Sequence, residues 1–187
     1  MKHYLKLSLL ATLLCLVPFS VAFADSNPHK HKFGVATNAA MNGQVLPLRL
    51  ITTGTYSHGL NQFELGLGIH PLIRQELGLI SADFNYKVFP NGRSNKFNLY
   101  LMGNLTYIST RRETFFPTTF NYLFLHAGYG IELSATGGFY LDTNVSFGGF
   151  TYSKISENPA SSFLDAQRLF EDFGTSINLQ IGAGCRF

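Results

Sequence analysis

The chain has 187 residues, with 14 Lys and Arg against 11 Asp and Glu, and charged side chains make up only 13% of it. Two of the bases, Lys2 and Lys6, lie in the first 24 residues, so the remainder carries twelve bases against eleven acids, a charge of +1 that argues for neither a nucleic acid nor an acidic partner. Beyond residue 24 no apolar run approaches the roughly 18 residues of a transmembrane helix, and only Cys185 remains there, which excludes an internal disulfide.

The N-terminus reads as a signal peptide over residues 1–24. Lys2 and Lys6 precede an almost continuous apolar stretch, Leu7 to Ala22, and Ala22-Phe23-Ala24 is a small-x-small cleavage site. The run is short and contains Pro18, which separates it from a membrane anchor. Cys15 does not make a lipoprotein site, because Thr12-Leu13-Leu14 ahead of it lacks the small residue at the cleavage position. Residues 25–187 are expected to form one domain. It opens on a basic arm in which His29 and His31 alternate with Lys30 and Lys32, and no Cys or carboxylate completes a metal site there. Neither a metal nor a cofactor is expected.

Eight strands are then predicted by a period of two. Phe33 and Val35 begin a weak one that fades through Ala39-Ala40. A second runs from Leu46 to Tyr56, with Leu46, Leu48, Leu50 and Thr52 on one face and Arg49 on the other, and Pro47 marks its start. Next, Phe63, Leu65, Leu67 and Ile69 alternate with Glu64, Gly66, Gly68 and His70. Ile80, Ala82, Phe84, Tyr86 and Val88 alternate with Ser81, Asp83, Asn85 and Lys87. Phe97 to Tyr107, Leu123 to Leu133 and Phe139 to Phe147 repeat the pattern. The eighth stretch, Ile177 to Phe187, alternates without a break.

The connections differ in kind. Ser57–Asn61, Pro90–Asn95 and Ala135–Gly138 are short and rich in Gly, Asn or Pro, whereas Arg111–Phe120 and Lys154–Thr175 are long. The last holds a predicted helical segment, Phe163–Asp172, capped by Ser161 or Ser162 and ended by Gly174. Its Phe163, Leu164, Leu169, Phe170 and Phe173 form an apolar stripe that folds over the barrel mouth or meets an extracellular ligand.

At about 3.3 Å per residue and a tilt of about 40°, the terminal stretch rises roughly 28 Å, close to the apolar band of an outer membrane. The mature chain thus resembles the small eight-stranded outer-membrane β-barrels typified by the OmpA transmembrane domain and OmpX: all-β, antiparallel, up-and-down and transmembrane, with both termini on the periplasmic side. The resemblance implies a Gram-negative outer membrane, contact with its lipid, and insertion by the barrel-assembly machinery, which would read the terminal Phe187. The chain lacks tryptophan, which such barrels often place in their interfacial girdles; Tyr and Phe can take that place.

If the apolar parity faces lipid, the lumen receives Arg49, Glu64, Asp83, Lys87, His126, Glu132, Asp142 and Arg186, with His70 beside them. Four acids against three bases can pair in an interior just wide enough to be filled by side chains, which reads as a polar plug rather than a one-sign selective pore. The inward glycine pairs Gly66/Gly68, Gly128/Gly130 and Gly182/Gly184 are expected to make room for Tyr100, Met102, Tyr140, Phe150 and Tyr152. Cys185 is expected to face lipid as an inert small hydrophobe. Lipid A deacylases of similar build carry a His-x-Ser pair on one strand, but His126 is followed two places on by Gly128. The remaining nucleophilic option joins His126 to Asp142 and Ser146 across strands.

The expected function is a non-enzymatic outer-membrane barrel with a plugged lumen that presents its outer loops for surface interaction or envelope integrity. A narrow channel or small-molecule uptake barrel is the first alternative, and a lipid A-modifying enzyme the second. A soluble lipocalin-like barrel would show the same alternation inside out. The low charge content favours the membrane.

Overall fold

Segments that alternate apolar and polar side chains satisfy both only when extended, with one face on each medium. The computed structural model of the protein describes residues 32–43, 46–71, 77–112, 117–156 and 168–187. They form eight strands: β1 (Lys32–Asn42), β2 (Leu46–His58), β3 (Asn61–Ile69), β4 (Leu77–Val88), β5 (Phe97–Arg112), β6 (Thr118–Ser134), β7 (Phe139–Ser156) and β8 (Phe173–Arg186). Each pairs antiparallel with its sequence neighbour, and β8 closes on β1 in the register Gly34 with Arg186 to Asn42 with Asn178. Closure removes the two edges that an open sheet would expose. The expected signal segment and the arm holding His29 and His31 lie outside the described residues.

The barrel has a turn end and a loop end. At the turn end, Gly59 sits at φ 56 within the tight link from His58 to Asn61. Phe89-Pro90-Asn91-Gly92 makes a β-turn closed by the Gly92 amide donating to the Phe89 carbonyl at 3.0 Å. Pro sits where φ is already set, and Gly92 takes φ 74. A short 3-10 turn, Thr136–Gly138, joins β6 to β7.

Orientation answers the question that parity leaves open. Leu65, Leu67, Ile80, Leu125 and Ile181 point outward and are each 66–71% exposed, whereas Arg49, Glu64, Lys87 and Glu132 point inward at 2% or less. This is the reverse of a lipocalin-like barrel. The interior is polar, and the apolar set forms an outer belt.

Two expectations shift at the loop end. β5, β6 and β7 run for 16, 17 and 18 residues against 11 and 9 for β1 and β3, so one wall is much the taller. Six extra residues raise that wall by roughly 15 Å along the axis. Residues 157–167, which include the first half of the expected helix, are outside the described set. Gly174, expected to end that helix, and Phe173 of its apolar stripe already belong to β8, and Phe170 ahead of them takes φ 73 with its amide donating to Thr151 Oγ1 at 2.8 Å. Cys185 keeps its outward parity, in register with Val35 and Phe139, yet it is buried rather than open to its surroundings.

Candidate functional site

The strand period turns Arg49, Glu64, Asp83, Lys87, His126, Glu132, Asp142 and Arg186 into one interior, where none exceeds 8% exposure. His70 does not join them; it lies half-buried just past the end of β3. Charges this deep must be paired and hydrogen-bonded. Arg49 Nη1 donates to both carboxylate oxygens of Asp83 at 3.1 Å, while Nη2 donates to Asn42 Oδ1 at 2.9 Å. Asp83 also accepts from Ser81 at 2.8 Å and Thr106 at 2.7 Å. Lys87 Nζ lies 2.5 Å from Asp142 Oδ2 and 2.7 Å from Glu64 Oε1, with the Tyr100 ring 4.8 Å away. Arg186 forks onto Glu132, with Nη1 2.9 Å from Oε1 and Nη2 on Oε2; Nη2 also donates to Gln62 Oε1 at 2.9 Å. The fork matches guanidinium to carboxylate geometry.

Neutral residues knit these pairs together, and their hydrogen bonds run in one direction. The Glu64 carboxylate only accepts, so Asn85 Nδ2 donates to it at 3.0 Å. That orients Asn85 Oδ1 to accept from Asn104 Nδ2 at 2.6 Å. Asn104 Oδ1 then accepts at 3.3 Å from His126 Nδ1, which assigns the proton to Nδ1 and leaves Nε2 to accept from the Ser176 hydroxyl at 2.6 Å. One carboxylate therefore orders a chain of side chains across β3, β4, β5, β6 and β8. Asn85, Asn104, Gln62 and Ser176 went unassigned in the sequence, since a polar residue at an inward position carries no mark of its partner.

The same network rules out the remaining nucleophilic option, His126 with Asp142 and Ser146. Asp142 is held by Lys87 and Tyr100, and Ser146 by Asn178, so neither meets His126. The neighbour of His126 is Ser176, two strands away, and Gly148 of β7 stands in register with both. A Cβ on Gly148 would collide with the Leu125 carbonyl and the His126 backbone, so glycine is what allows the pair to meet.

Apolar side chains pack inside both ends of the lumen. At the turn end Phe89 is fully buried, 5.2 Å from the Tyr100 ring, and the Arg93 guanidinium lies 3.9 Å above Phe89. Burial pushes the Arg93 guanidinium down to about 10, repulsion from Arg186 adds to this, and Glu132 opposes it. Arg93 balances the interior at four bases to four acids. Its place in a turn hid it from a reading by strand parity. At the loop end Leu79, Ile108 and Phe124 form a buried cluster joined by Tyr122 and Phe150. Phe124 stacks on His126 at 5.6 Å. Of the six expected inward glycines, Gly130 receives the Tyr100 ring and Gly184 that of Tyr140, whereas Gly66, Gly68, Gly128 and Gly182 abut Ile51, Ser81, Ser146 and Asn38; Gly174, outside those pairs, receives the Phe150 ring. Among the described residues no three His, Cys, Asp or Glu side chains converge as a metal site.

No family model matches this chain, and no curated protein sequence does. Solved structures share its fold. The N-terminal β-barrel domain of Pseudomonas aeruginosa OprF superposes with a TM-score of 0.59 at 8% identity, covering 83% of this chain and 97% of that one. Neisserial surface protein A gives 0.54 at 11%, covering 84% and 97%. A major outer membrane protein from Thermus thermophilus gives 0.52 at 14%, covering 85% and 100%. At these identities the likeness is one of fold.

Proposed function

We propose that this chain is a non-enzymatic barrel of the Gram-negative outer membrane, plugged by its own polar interior, that presents its loop end to the outside. The inversion carries this reading: an apolar belt faces out and a closed ionic network faces in. A water-facing surface would leave Leu65, Leu67 and Ile80 as a continuous exposed apolar patch, whereas lipid accepts them. The three fold neighbours include proteins described as outer-membrane or surface proteins. In this reading residues 1–24 direct export, Phe187 marks the chain for barrel assembly, the turn end lies in the periplasm, and the loop after β7 meets any extracellular ligand.

Cell fractionation with a heat-modifiability gel tests the location, and planar-bilayer recording tests the plug. The expected result is a membrane band that shifts on boiling, with no steady conductance. A soluble protein would overturn the location, and a steady ionic current would replace the plug with a channel.

A second reading rests on Ser176, His126 and Asn104, whose hydrogen bonds run in the order of a nucleophilic triad. Such an enzyme would cleave a lipid ester after the aromatic cover over His126 opened. An altered envelope-lipid mass spectrum that disappears in Ser176→Ala would favour it; an unchanged spectrum would discard it.

A further inference from the structure

Three of the four interior bases occupy all four acids. Arg49 holds Asp83, Lys87 bridges Glu64 and Asp142, and both Nη atoms of Arg186 lie on Glu132. Arg93 is the fourth base, and among the described residues no carboxylate lies within ion-pair distance of it. Its Nε and Nη2 are buried without a hydrogen-bond partner, and the guanidinium rests on the Phe89 ring at 3.9 Å. Arg49 and Arg186 also leave Nε without a partner, but each has a carboxylate on its Nη atoms. A buried cation with orphaned donors is costly unless an anion answers it.

Arg93 also lines a cavity of about 490 Å³ at the turn end, between the β4–β5 turn and the β6–β7 turn. Lys96 is the second base in its wall, Ser94, Ser134 and Thr136 bring hydroxyls, Asn95 brings an amide, and no carboxylate lines it. The two walls are braced against each other. Ser134 N donates to the Lys96 carbonyl at 2.8 Å, while Asn98 Nδ2 donates to the Asn95 carbonyl at 2.9 Å and to Ser134 Oγ at 3.0 Å. The cavity therefore stands preformed, with two cations and no anion in its walls. The outward residues Phe97 and Leu133, paired in register, immediately follow Lys96 and precede Ser134, so the cavity begins where the apolar belt ends. We propose that this cavity binds a phosphate group, with Arg93 and Lys96 as its counter-charges and the Ser94 and Thr136 hydroxyls as further donors. A guanidinium fork beside an ammonium suits phosphate, and donors on two walls call for more acceptor oxygens than the two of a carboxylate. A free phosphate and the phosphate of a lipid headgroup share this chemistry.

The test is amide NMR of the isotope-labelled, folded full-length barrel in maltoside micelles at constant ionic strength. Inorganic phosphate is one probe, and short-chain phosphatidic acid against diacylglycerol is the other. Phosphate should shift the Ser94, Lys96 and Thr136 amides to saturation, while chloride and acetate leave them in place. Lys96→Gln should weaken binding roughly tenfold, as expected for one lost charged hydrogen bond. Arg93→Gln should abolish it. So should Thr136→Glu, which puts a carboxylate in the cavity without touching Arg93 or Phe89, so a folding defect in Arg93→Gln does not decide the matter. Lys154→Gln, the same charge change at the loop end, should bind as the wild type does. A response to phosphatidic acid without one to inorganic phosphate assigns the site to a lipid headgroup; a response to inorganic phosphate shows that the free ion suffices. Silence to both, an equal response to acetate, or unchanged binding in Lys96→Gln and Thr136→Glu would overturn the proposal. Micelles make no demand on cellular location, so a soluble protein would defeat the membrane reading and leave this site standing.

Discussion

The two ends of the lumen are filled by opposite chemistry. Toward the turn end, Lys87, Glu64, Asp142, Arg186 and Glu132 pair across the barrel, and little apolar surface lies among them beyond Phe89, Tyr100 and Met102. Toward the loop end, Leu79, Ile108, Phe124, Tyr122 and Phe150 pack as an ordinary hydrophobic core. Paired charges in a dry interior contribute little net stability, because desolvation offsets their attraction, but they are costly to break. Apolar packing contributes directly, in proportion to the area it removes from water. Specificity of closure therefore resides at one end and cohesion at the other.

Four substitutions test that contrast, all read as urea unfolding of the refolded barrel in liposomes by gel mobility. Lys87→Met strands two carboxylates and should cost about 4 kcal/mol, and adding Glu64→Gln with Asp142→Asn should recover most of that loss. Failure of the triple variant to recover would show that shape, not charge, is what Lys87 supplies. Phe124→Ala leaves a cavity in the loop-end core and should cost about 3 kcal/mol, with no neutral partner change able to rescue it. Leu67→Arg, at an outward position 71% exposed, should cost about 2 kcal/mol in lipid. No loss there would contradict the outer belt. Ser176→Ala removes one donor from His126 and should cost about 1 kcal/mol, the smallest effect of the four.

The same contrast explains which strands could be read in advance. Where the lumen is polar and the outside apolar, as along Ile177–Ile181 or Phe63–Ile69, parity has a clear sign. At the loop end that sign inverts. Phe120, Tyr122 and Phe124 take inward parity, while Asn121 takes outward parity and accepts from the Tyr107 hydroxyl at 3.0 Å. Sequence alternation therefore ends near Leu123 and Phe147, but the backbone pairing continues to Thr118 and Ser156. A hydrogen-bonded ladder does not need a hydrophobic pattern once neighbouring strands already fix its register.

The site divides in the same way. Period two alone places Arg49, Glu64, Asp83, Lys87, His126, Glu132, Asp142 and Arg186 on one face. Which acid meets which base depends on the stagger of eight strands, and residues as far apart as Gln62 and Arg186 meet only after closure. Arg93 and Phe89 belong to a turn whose backbone folds inward, and no periodicity marks that. His126 found Ser176 rather than Ser146 because Gly148 leaves space across β7, a matter of register between three strands.

The sequence by itself determined the strands, their number and the side on which each residue falls, because a two-residue repeat is a local property of the extended backbone. Only the tertiary structure decided which side was in, which charges pair and which side chains fill each end of the lumen. Those depend on curvature and closure, which bring together side chains that no local rule relates.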